Sequence, residues 1–368
     1  MDLTTSRELS LSRSNSSALP LHPRSANDSE EMVEADNAIT VVLPMTLGII
    51  SNIVAFFILA NAYSIQRRRS KATFLLFATS LVITDFMGHV IPGALVLWLR
   101  LGRGVYPDDS GTSDGVCQVL GGSMVFFGLC PLFMGFAMAA ERCLGVTKPL
   151  LHSSLVTKTR TKICLSIIWL SALCVAVLPY FQLGSYTYQE PRTWCFINVL
   201  SGTKDADVAL VVLFSGLGLA SLAAALVCNT ISGLTLVLAR IRRQLGSHHS
   251  SRSHDIEMVV QLVGIMVTSC ICWSPLLIFG LISSIHSYTG AIGENLSDYK
   301  TLMRTGVWLA TWNQILDPWV YILLRRSVLR KIYLIVKCQA GLRSNVSGRW
   351  EPSRLSQRSS EKVEMDQV

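Results

Sequence analysis

Long apolar stretches alternate with short polar segments along most of this 368-residue chain. A helix of about 20 apolar residues crosses a bilayer core of about 30 Å. The pattern therefore predicts an all-α membrane protein with seven transmembrane helices joined by short loops. These spans, numbered one to seven, cover approximately residues 38–63, 72–99, 116–144, 163–180, 206–239, 256–282 and 302–324.

Basic residues are concentrated on one side of these spans. The loops after spans one, three and five and the tail after span seven hold most of the Lys and Arg, whereas the first 37 residues are mainly acidic. Because Lys and Arg are retained in the cytoplasm, the amino terminus is predicted to be extracellular and the carboxyl terminus cytoplasmic. The net charge of +8 then follows from topology, and nucleic-acid binding explains it poorly.

This topology predicts four parts. They are an extracellular tail, the seven-helix bundle, a short amphipathic helix on the inner membrane surface, and a disordered cytoplasmic tail. Their limits are residues 1–37, 38–324, 325–338 and 339–368.

Modification sites follow from the same topology. Sequons at Asn15, Asn27 and Asn295 lie on the predicted outer side and are candidates for glycosylation. Cys338 follows the short amphipathic stretch on the inner side and is a candidate for palmitoylation. The Ser-rich tail is a candidate for phosphorylation and arrestin recruitment, although the same composition is typical of disorder.

Most of the ten cysteines lie inside the predicted spans. Only Cys117 and Cys195 fall on the predicted outer side, which is an oxidising compartment. We expect these two to form a disulfide that ties the loop after span four to the start of span three.

Polar residues inside the spans are candidates for function, because an ionisable group at membrane depth is costly. Asp85 lies near the middle of span two, and Asp317 lies in span seven. With Asn52 and Asn313 they are predicted to form a polar network at the inner end of the bundle. Alternatively, Asp85 is only a structural hydrogen-bond acceptor.

Span six contains Trp273 beside Pro275. The proline removes a backbone hydrogen bond and is expected to kink the helix. The bend is either purely architectural or a pivot that moves the inner half of the span.

Several motifs in this order resemble the rhodopsin-like G-protein-coupled receptors over about residues 38–338. They are Asn52, Asp85, Cys117, Glu141-Arg142-Cys143, Trp169, Cys272-Trp273-Ser274-Pro275 and Asp317-Pro318-Trp319-Val320-Tyr321. Further runs resemble the prostanoid receptor subfamily, within which the prostaglandin E receptors are the most similar. These runs are Gly128-Leu129-Cys130-Pro131, Gly145-Val146-Thr147-Lys148-Pro149, Arg192-Thr193-Trp194-Cys195-Phe196 and Trp312-Asn313-Gln314-Ile315.

The resemblance implies a plasma-membrane receptor for a prostaglandin, with prostaglandin E2 as the leading candidate. It further implies signalling through a Gq-type protein, phospholipase C and calcium. Prostaglandin F2α or another lipid acid remains an alternative ligand. Amine receptors of the family have an acid where this chain has Met124, and opsins have a lysine where it has Thr311, so cationic ligands and retinal are disfavoured.

The carboxylate anchor of the subfamily is missing here. Prostanoid receptors place an arginine where this chain has Trp308. Arg100 and Arg304 border the outer openings of spans two and seven, and an arginine fork suits a carboxylate. We expect the anchor to have moved to one of them, with Thr193 and the adjoining Trp194 on the outer loop as further ligand contacts. Alternatively, both arginines only extend towards the membrane interface, and the chain binds prostanoids weakly or not at all.

Coupling to the G protein is expected to depend on Arg142, together with Tyr321 from the resemblance. At rest Arg142 is predicted to pair with Glu141 or with Asp255 at the inner end of span six. Outward movement of span six would separate Arg142 from Asp255 and open a pocket for a helix of the G protein. Alternatively, Asp255 only caps its helix.

A membrane transporter is the alternative class of protein. The odd number of spans and the lack of a detectable inverted repeat argue against it. No set of nucleophile, base and orienting group is recognisable, so neither an enzyme nor a cofactor is expected. His89 has no second His or Cys at ligand spacing, so no metal site is expected.

Overall fold

The computed structural model describes the chain over seven ranges, which are residues 25–66, 72–102, 112–189, 194–199, 204–245, 252–290 and 296–323. The chain divides into two compact units, Met1–Val41 and Val42–Val368. Of the first unit the structure describes helical backbone from Ser25 onward. The side-chain geometry below belongs to the second unit.

Helices dominate the described ranges, which contain eight α-helices. Seven of them coincide with spans one to seven in order, and the additional helix, α4, lies in the loop after span three. The helices are α1 (Ser25–Gln66), α2 (Ala72–Gly102), α3 (Thr112–Thr147), α4 (Pro149–Leu155), α5 (Lys158–Val177), α6 (Asp205–Leu245), α7 (Arg252–Tyr288) and α8 (Leu296–Leu323).

Six of these described helices, α1 to α3 and α5 to α7, are long and apolar enough to cross a membrane. The sequence of α8 is less apolar because its inner half contains Asn313, Gln314 and Asp317. All three side chains are buried in the protein. Polar groups that face neighbouring helices are compatible with a transmembrane position, although they lower the mean hydropathy.

The central helix is α3, which packs against α2, α5, α6 and the strands of the outer loop. Its buried positions recur at helical spacing, and Val125, Leu129 and Met134 are completely inaccessible. These residues belong to the main apolar core, to which α5, α6 and α7 also contribute.

The loop between α5 and α6 contains a short 3-10 helix, Leu178–Phe181, and an antiparallel hairpin. Strand β1 (Tyr186–Gln189) pairs with β2 (Trp194–Ile197) so that Tyr188 lies opposite Cys195. This hairpin lies between the end of α5 and the start of α6, on the side of the bundle that the sequence predicts to be outer.

Candidate functional site

A disulfide joins the hairpin to the central helix. Cys117, near the start of α3, is bonded to Cys195 of β2, and their Cα atoms are 5.3 Å apart. Both residues are buried. The pairing expected from the sequence is confirmed, and it fixes the hairpin over the outer end of α3.

A buried carboxylate joins the same hairpin to α6. Asp207, in the first turn of α6, accepts hydrogen bonds from Ser185 Oγ at 2.7 Å, Asn198 Nδ2 at 3.2 Å and the backbone N–H of Lys204 at 3.1 Å. It is only 2% exposed. A carboxylate at a helix amino terminus satisfies a free backbone N–H and complements the helix dipole. Asp207 thus anchors both flanks of the hairpin to α6.

Tyr186 provides a third anchor. Its hydroxyl donates to the carbonyl of Ala176 near the end of α5 at 2.8 Å. Its ring lies against Gly121 of α3. A Cβ added at Gly121 would come within 2.5 Å of the ring, so α3 can pack this closely against Tyr186 only because residue 121 is glycine. Burial raises the pKa of the Tyr186 phenol, with the nearby Tyr180 as a smaller cause.

Two of the predicted ligand residues, Trp194 of the hairpin and Met124 of α3, pack against the same apolar cluster. Met124 and Trp194 pack against a buried cluster of Cys117, Leu120 and Cys195, to which the outer end of α2 contributes Leu95, Val96 and Leu99. We call these eight residues the outer cluster. Arg100, which is half-buried, directly follows Leu99 in α2. It therefore adjoins the outer cluster along α2.

The predicted ligand residues of α8 have a different environment. Arg304 and Trp308 are exposed one turn apart, and Trp308 has 47% of its surface accessible. The Trp308 ring meets Trp312 edge to face with centroids 5.6 Å apart. Thr311 is partly buried, and its hydroxyl donates to the carbonyl of Val307 at 2.9 Å. Arg304 is therefore less enclosed than Arg100.

Residues of the predicted polar network form hydrogen bonds within α1, within α8 and between these two helices. Asn52 Nδ2 donates to the carbonyls of Gly48 at 3.0 Å and Gln314 at 3.2 Å. Within α8, Asn313 Nδ2 donates to Asp317 Oδ2 at 2.8 Å. These bonds connect α1 with the inner half of α8.

Gln314 extends this network towards the centre of the bundle, whereas Asp85 does not join it through a hydrogen bond. Asp85 is completely buried, and its two carboxylate oxygens have no hydrogen-bond partner among the described residues. Gln314 Nε2 donates to the carbonyl of Phe127 in α3 at 2.9 Å. The sequence analysis did not select Gln314, although it adjoins Asn313 in the motif. His89, one turn from Asp85, packs against Gly48 so closely that no Cβ fits there.

Trp273 lies in the interior beside α3 and α6. A Cβ added at Gly128 would be 3.3 Å from its ring and 3.6 Å from the ring of Phe214. Helix α7 continues through Pro275. The aromatic side chain next to this proline is thus packed against the central helix.

The inner end of α3 contains the charged pair. Arg142 Nε lies 3.8 Å from Glu141 Oε2, and its guanidinium carbon lies 3.8 Å from the centroid of the Phe74 ring in α2. Of the two partners considered for Arg142, the structure therefore shows Glu141. The side chain of the other, Asp255, lies outside the described side chains.

Glu141 also contacts two residues that the sequence analysis missed. Its Oε1 lies 3.3 Å from His152 Nε2 in α4 and accepts a hydrogen bond from Thr73 Oγ1 of α2 at 3.4 Å. No local pattern marks Thr73, because it is 68 residues from Glu141. His152 follows the span by only a few residues, but its contact depends on the turn between α3 and α4.

Several predicted sites lie outside the described residues or side chains. For the amphipathic helix 325–338 and the tail 339–368 the structure likewise provides no description. The individual residues concerned are Asn15, Asn27, Thr193, Asn295, Tyr321 and Cys338.

Comparison with known proteins identifies the family. Residues 51–321 match the family described as 7 transmembrane receptor (rhodopsin family). The chain is 41% identical to the prostaglandin E2 receptor EP1 subtype of Mus musculus, with 94% of this chain and 96% of that receptor aligned. It is 41% identical to the Homo sapiens EP1 receptor, with 85% and 88% aligned. It is 40% identical to the prostaglandin F2-alpha receptor of Bos taurus, with 93% and 92% aligned.

These matches confirm the seven-helix fold and the resemblance found in the sequence. They cover the helices that carry the outer cluster, the polar network and the Glu141–Arg142 pair. Such receptors are membrane proteins and not enzymes. The chain belongs to the rhodopsin family of seven-transmembrane receptors, within its prostanoid receptor branch.

Proposed function

We propose that this protein is a plasma-membrane receptor for a prostaglandin, with prostaglandin E2 as the leading ligand. It signals through a Gq-type protein, phospholipase C and calcium. The observation that carries this proposal is the 41% identity to a receptor named for prostaglandin E2 along nearly the whole of both chains. The outer cluster supports it, because its partly buried side chains are mainly apolar and Arg100 directly follows one of them in α2.

Arg100 is the proposed carboxylate anchor. It is half-buried and directly follows Leu99 of the outer cluster in α2, whereas Arg304 is exposed on α8. A charge-assisted arginine contact strengthens as water is excluded from it. The half-buried Arg100 is therefore better placed than Arg304 to replace the arginine that Trp308 has displaced. Thr193 remains a proposed hydrogen-bond partner of the ligand.

A binding experiment tests this assignment directly. Arg100→Ala should weaken prostaglandin E2 binding roughly 10- to 100-fold, because one charge-assisted hydrogen-bonded contact contributes about 1.5–3 kcal/mol. Arg304→Ala is the matched control and should change affinity by less than about threefold.

The methyl ester of prostaglandin E2 separates charge recognition from packing. It should bind the unaltered receptor more weakly than the acid does, and Arg100→Ala should remove most of that preference. If neither arginine variant alters the affinity, the anchor has not moved to these positions. If Arg304→Ala alone reduces it, the anchor is on α8.

We also propose the coupling mechanism. The amino terminus is extracellular, and agonist binding favours a state in which the inner end of α7 has moved away from α3. Arg142 then leaves its resting partners, and a helix of the G protein enters the opened pocket, with Tyr321 contributing to the active arrangement. Asp255→Asn should raise agonist-free calcium signalling if Asp255 is one of these partners. Unchanged basal calcium would remove Asp255 from the mechanism.

Prostaglandin F2α is the second candidate ligand. The Bos taurus receptor named for it is 40% identical, almost the same as the receptors named for prostaglandin E2. A panel of prostaglandins applied to cells that express this chain, with calcium and cyclic AMP recorded together, ranks both ligands. The cyclic AMP record identifies a G protein other than the Gq type.

A further inference from the structure

An exposed stripe on α5 begins at a cation and continues with apolar side chains. Arg160, Ile163, Ile167 and Leu170 follow one another at intervals of three or four residues, so they lie on one face of the helix. Ile163, Ile167 and Leu170 are 54%, 58% and 61% exposed. Helix α5 belongs to a segment that is long and apolar enough to cross a membrane, so lipid covers this face.

The stripe has the length of one leaflet. Arg160 and Leu170 are ten residues apart, which is about 15 Å along a helix and half of a hydrocarbon core of about 30 Å. Arg160 lies near the inner end of α5, which begins at Lys158. A lipid with its head group at Arg160 can therefore lay an acyl chain along the apolar part of the stripe.

The Arg160 guanidinium has one nitrogen engaged and one edge open. Its Nη1 donates to the carbonyls of Ser154 and Leu155 at the end of α4, at 3.4 and 3.5 Å. The hydrogen bonds that the structure describes for this side chain are made by Nη1 alone. Nε and Nη2 form the edge of an arginine that binds a phosphate through two parallel hydrogen bonds. Because Arg160 is exposed, a lipid phosphate can reach this edge.

The surroundings of Arg160 favour a head group with a net negative charge. The sequence contains no acidic residue from 142 to 189. Lys148, Lys158 and Lys162 are all exposed in the loop after α3 and the first turns of α5. Lys158 and Lys162 are four residues apart on one helix, so their charges repel each other. An anionic head group reduces this repulsion, whereas a zwitterionic one brings its own cation.

We propose that the inner end of α5 is a binding site for an anionic phospholipid of the inner leaflet. Its phosphate binds Nε and Nη2 of Arg160, and the neighbouring lysines compensate the remaining negative charge. One acyl chain lies along Ile163, Ile167 and Leu170. The site does not depend on which ligand binds near the outer cluster, and only its assignment to the inner leaflet rests on the proposed orientation.

Native mass spectrometry of the full-length receptor in detergent tests the site. The receptor is mixed with equal concentrations of dioleoylphosphatidylserine and dioleoylphosphatidylcholine, and the lipid that stays bound is counted. The anionic lipid is expected to be retained about tenfold more, because several basic residues attract it. Glycerophosphoserine supplies the same head group without acyl chains and should not displace the lipid. Displacement by it would indicate a site for a free anion and would overturn the proposal.

Thr159 offers a variant that leaves Arg160 and its bonds to α4 in place. Its side chain is exposed one turn before Ile163, on the same face. Thr159→Glu should repel the phosphate and lower retention of the anionic lipid about fivefold. Thr159→Gln is the matched control, because it has nearly the same shape without the charge, and it should retain the lipid as the unaltered receptor does.

Arg160→Gln should also lower retention about fivefold, which corresponds to about 1 kcal/mol for one basic residue near an anionic surface. Arg242→Gln is the control for this variant, because Arg242 is an exposed cation near the end of α6. It should change retention by less than about twofold if the lipid binds at α5. Thermal unfolding shows whether each variant is folded.

Equal retention of the two lipids by the unaltered receptor would overturn the proposal. So would equal retention by Thr159→Glu and Thr159→Gln, or equal losses in Arg160→Gln and Arg242→Gln, since total charge would then explain binding. If Thr159→Glu lowers prostaglandin-stimulated nucleotide exchange but not lipid retention, the surface contacts the G protein instead and the proposal is wrong. Retention is measured without prostaglandin, so its outcome is independent of the proposed function.

Discussion

The two ends of the bundle are held together by different kinds of contact. At the outer end a disulfide, the buried carboxylate of Asp207 and the hydroxyl of Tyr186 tie one hairpin to three helices. At the inner end, Arg142 has a 3.8 Å ion pair with Glu141 and lies over an aromatic ring. Glu141 in turn has polar contacts of 3.3 and 3.4 Å.

This difference separates a fixed end from an exchangeable one. A disulfide stays closed during ligand binding, whereas a partly exposed ion pair contributes only about 0–1 kcal/mol. The Arg142 side chain is 28% exposed, so water and a protein partner can replace its contacts. The outer end can therefore keep the shape of a binding surface while the inner end rearranges, which is the division of roles that a receptor requires.

The disulfide should make the largest contribution to the rigidity of the outer end. Cys117→Ser together with Cys195→Ser should lower the free energy of unfolding by roughly 2–5 kcal/mol, because the unfolded chain gains freedom. Thermal unfolding of the purified receptor measures the loss. Cys174→Ser, which replaces an exposed free thiol on α5, is the control. An equal loss in both would show that thiol removal, rather than the cross-link, is responsible.

Asp207 should make the second largest contribution to the stability of the outer end. Asp207→Ala leaves the Ser185 hydroxyl and the Asn198 amide without their acceptor, at a cost of roughly 2–3 kcal/mol. Prostaglandin affinity should fall with it as the hairpin loosens. Asp205→Ala removes an exposed carboxylate two residues away and should have little effect. If the two variants unfold alike, the buried bonds do not anchor the hairpin.

Tyr186 should contribute about 1 kcal/mol through its bond to the Ala176 carbonyl, which Tyr186→Phe removes. Burial also raises the pKa of this phenol when folded. The unfolded chain therefore loses the proton first, so the unfolding free energy should fall as pH rises above about 10. Tyr186→Phe should weaken that fall. An unchanged pH profile in the variant would contradict the buried position.

The inner contacts should have the smallest effect on stability and a visible effect on activity. Glu141→Gln keeps an acceptor for Thr73 but removes the charge opposite Arg142. Stability should change by less than about 1 kcal/mol, while agonist-free nucleotide exchange should rise roughly two- to fivefold. Asp298→Asn removes one charge at the exposed outer end of α8 and should leave exchange unchanged. If Glu141→Gln and Asp298→Asn raised agonist-free exchange equally, the proposed contrast between the two ends of the bundle would be wrong.

The sequence predicted the spans, the polar residues within them and the disulfide, because each depends on a strong local or topological rule. A charge such as Asp85 inside an apolar span needs no knowledge of its partner to be selected. The anchors Asp207 and Tyr186 could not be predicted in this way. Their partners lie 22 and 10 residues away, across turns whose geometry no local pattern determines.

The inner end shows the same limit. The sequence predicted the pair of Glu141 and Arg142. It did not predict that Glu141 also contacts His152 of α4 and Thr73 of α2, because each of these residues lies on another helix. It also considered Arg100 and Arg304 equivalent as anchors. Only the folded structure distinguishes the half-buried Arg100 from the exposed Arg304.

Nucleotide exchange by a purified Gq-type protein tests the central claim most directly, with the receptor in nanodiscs and a panel of prostaglandins added. The account predicts that prostaglandin E2 accelerates exchange, that its methyl ester does so more weakly, and that Arg100→Ala removes the difference between them. The contradicting result is a receptor that thermal unfolding shows to be folded but on which none of the prostaglandins or other lipid acids accelerates exchange.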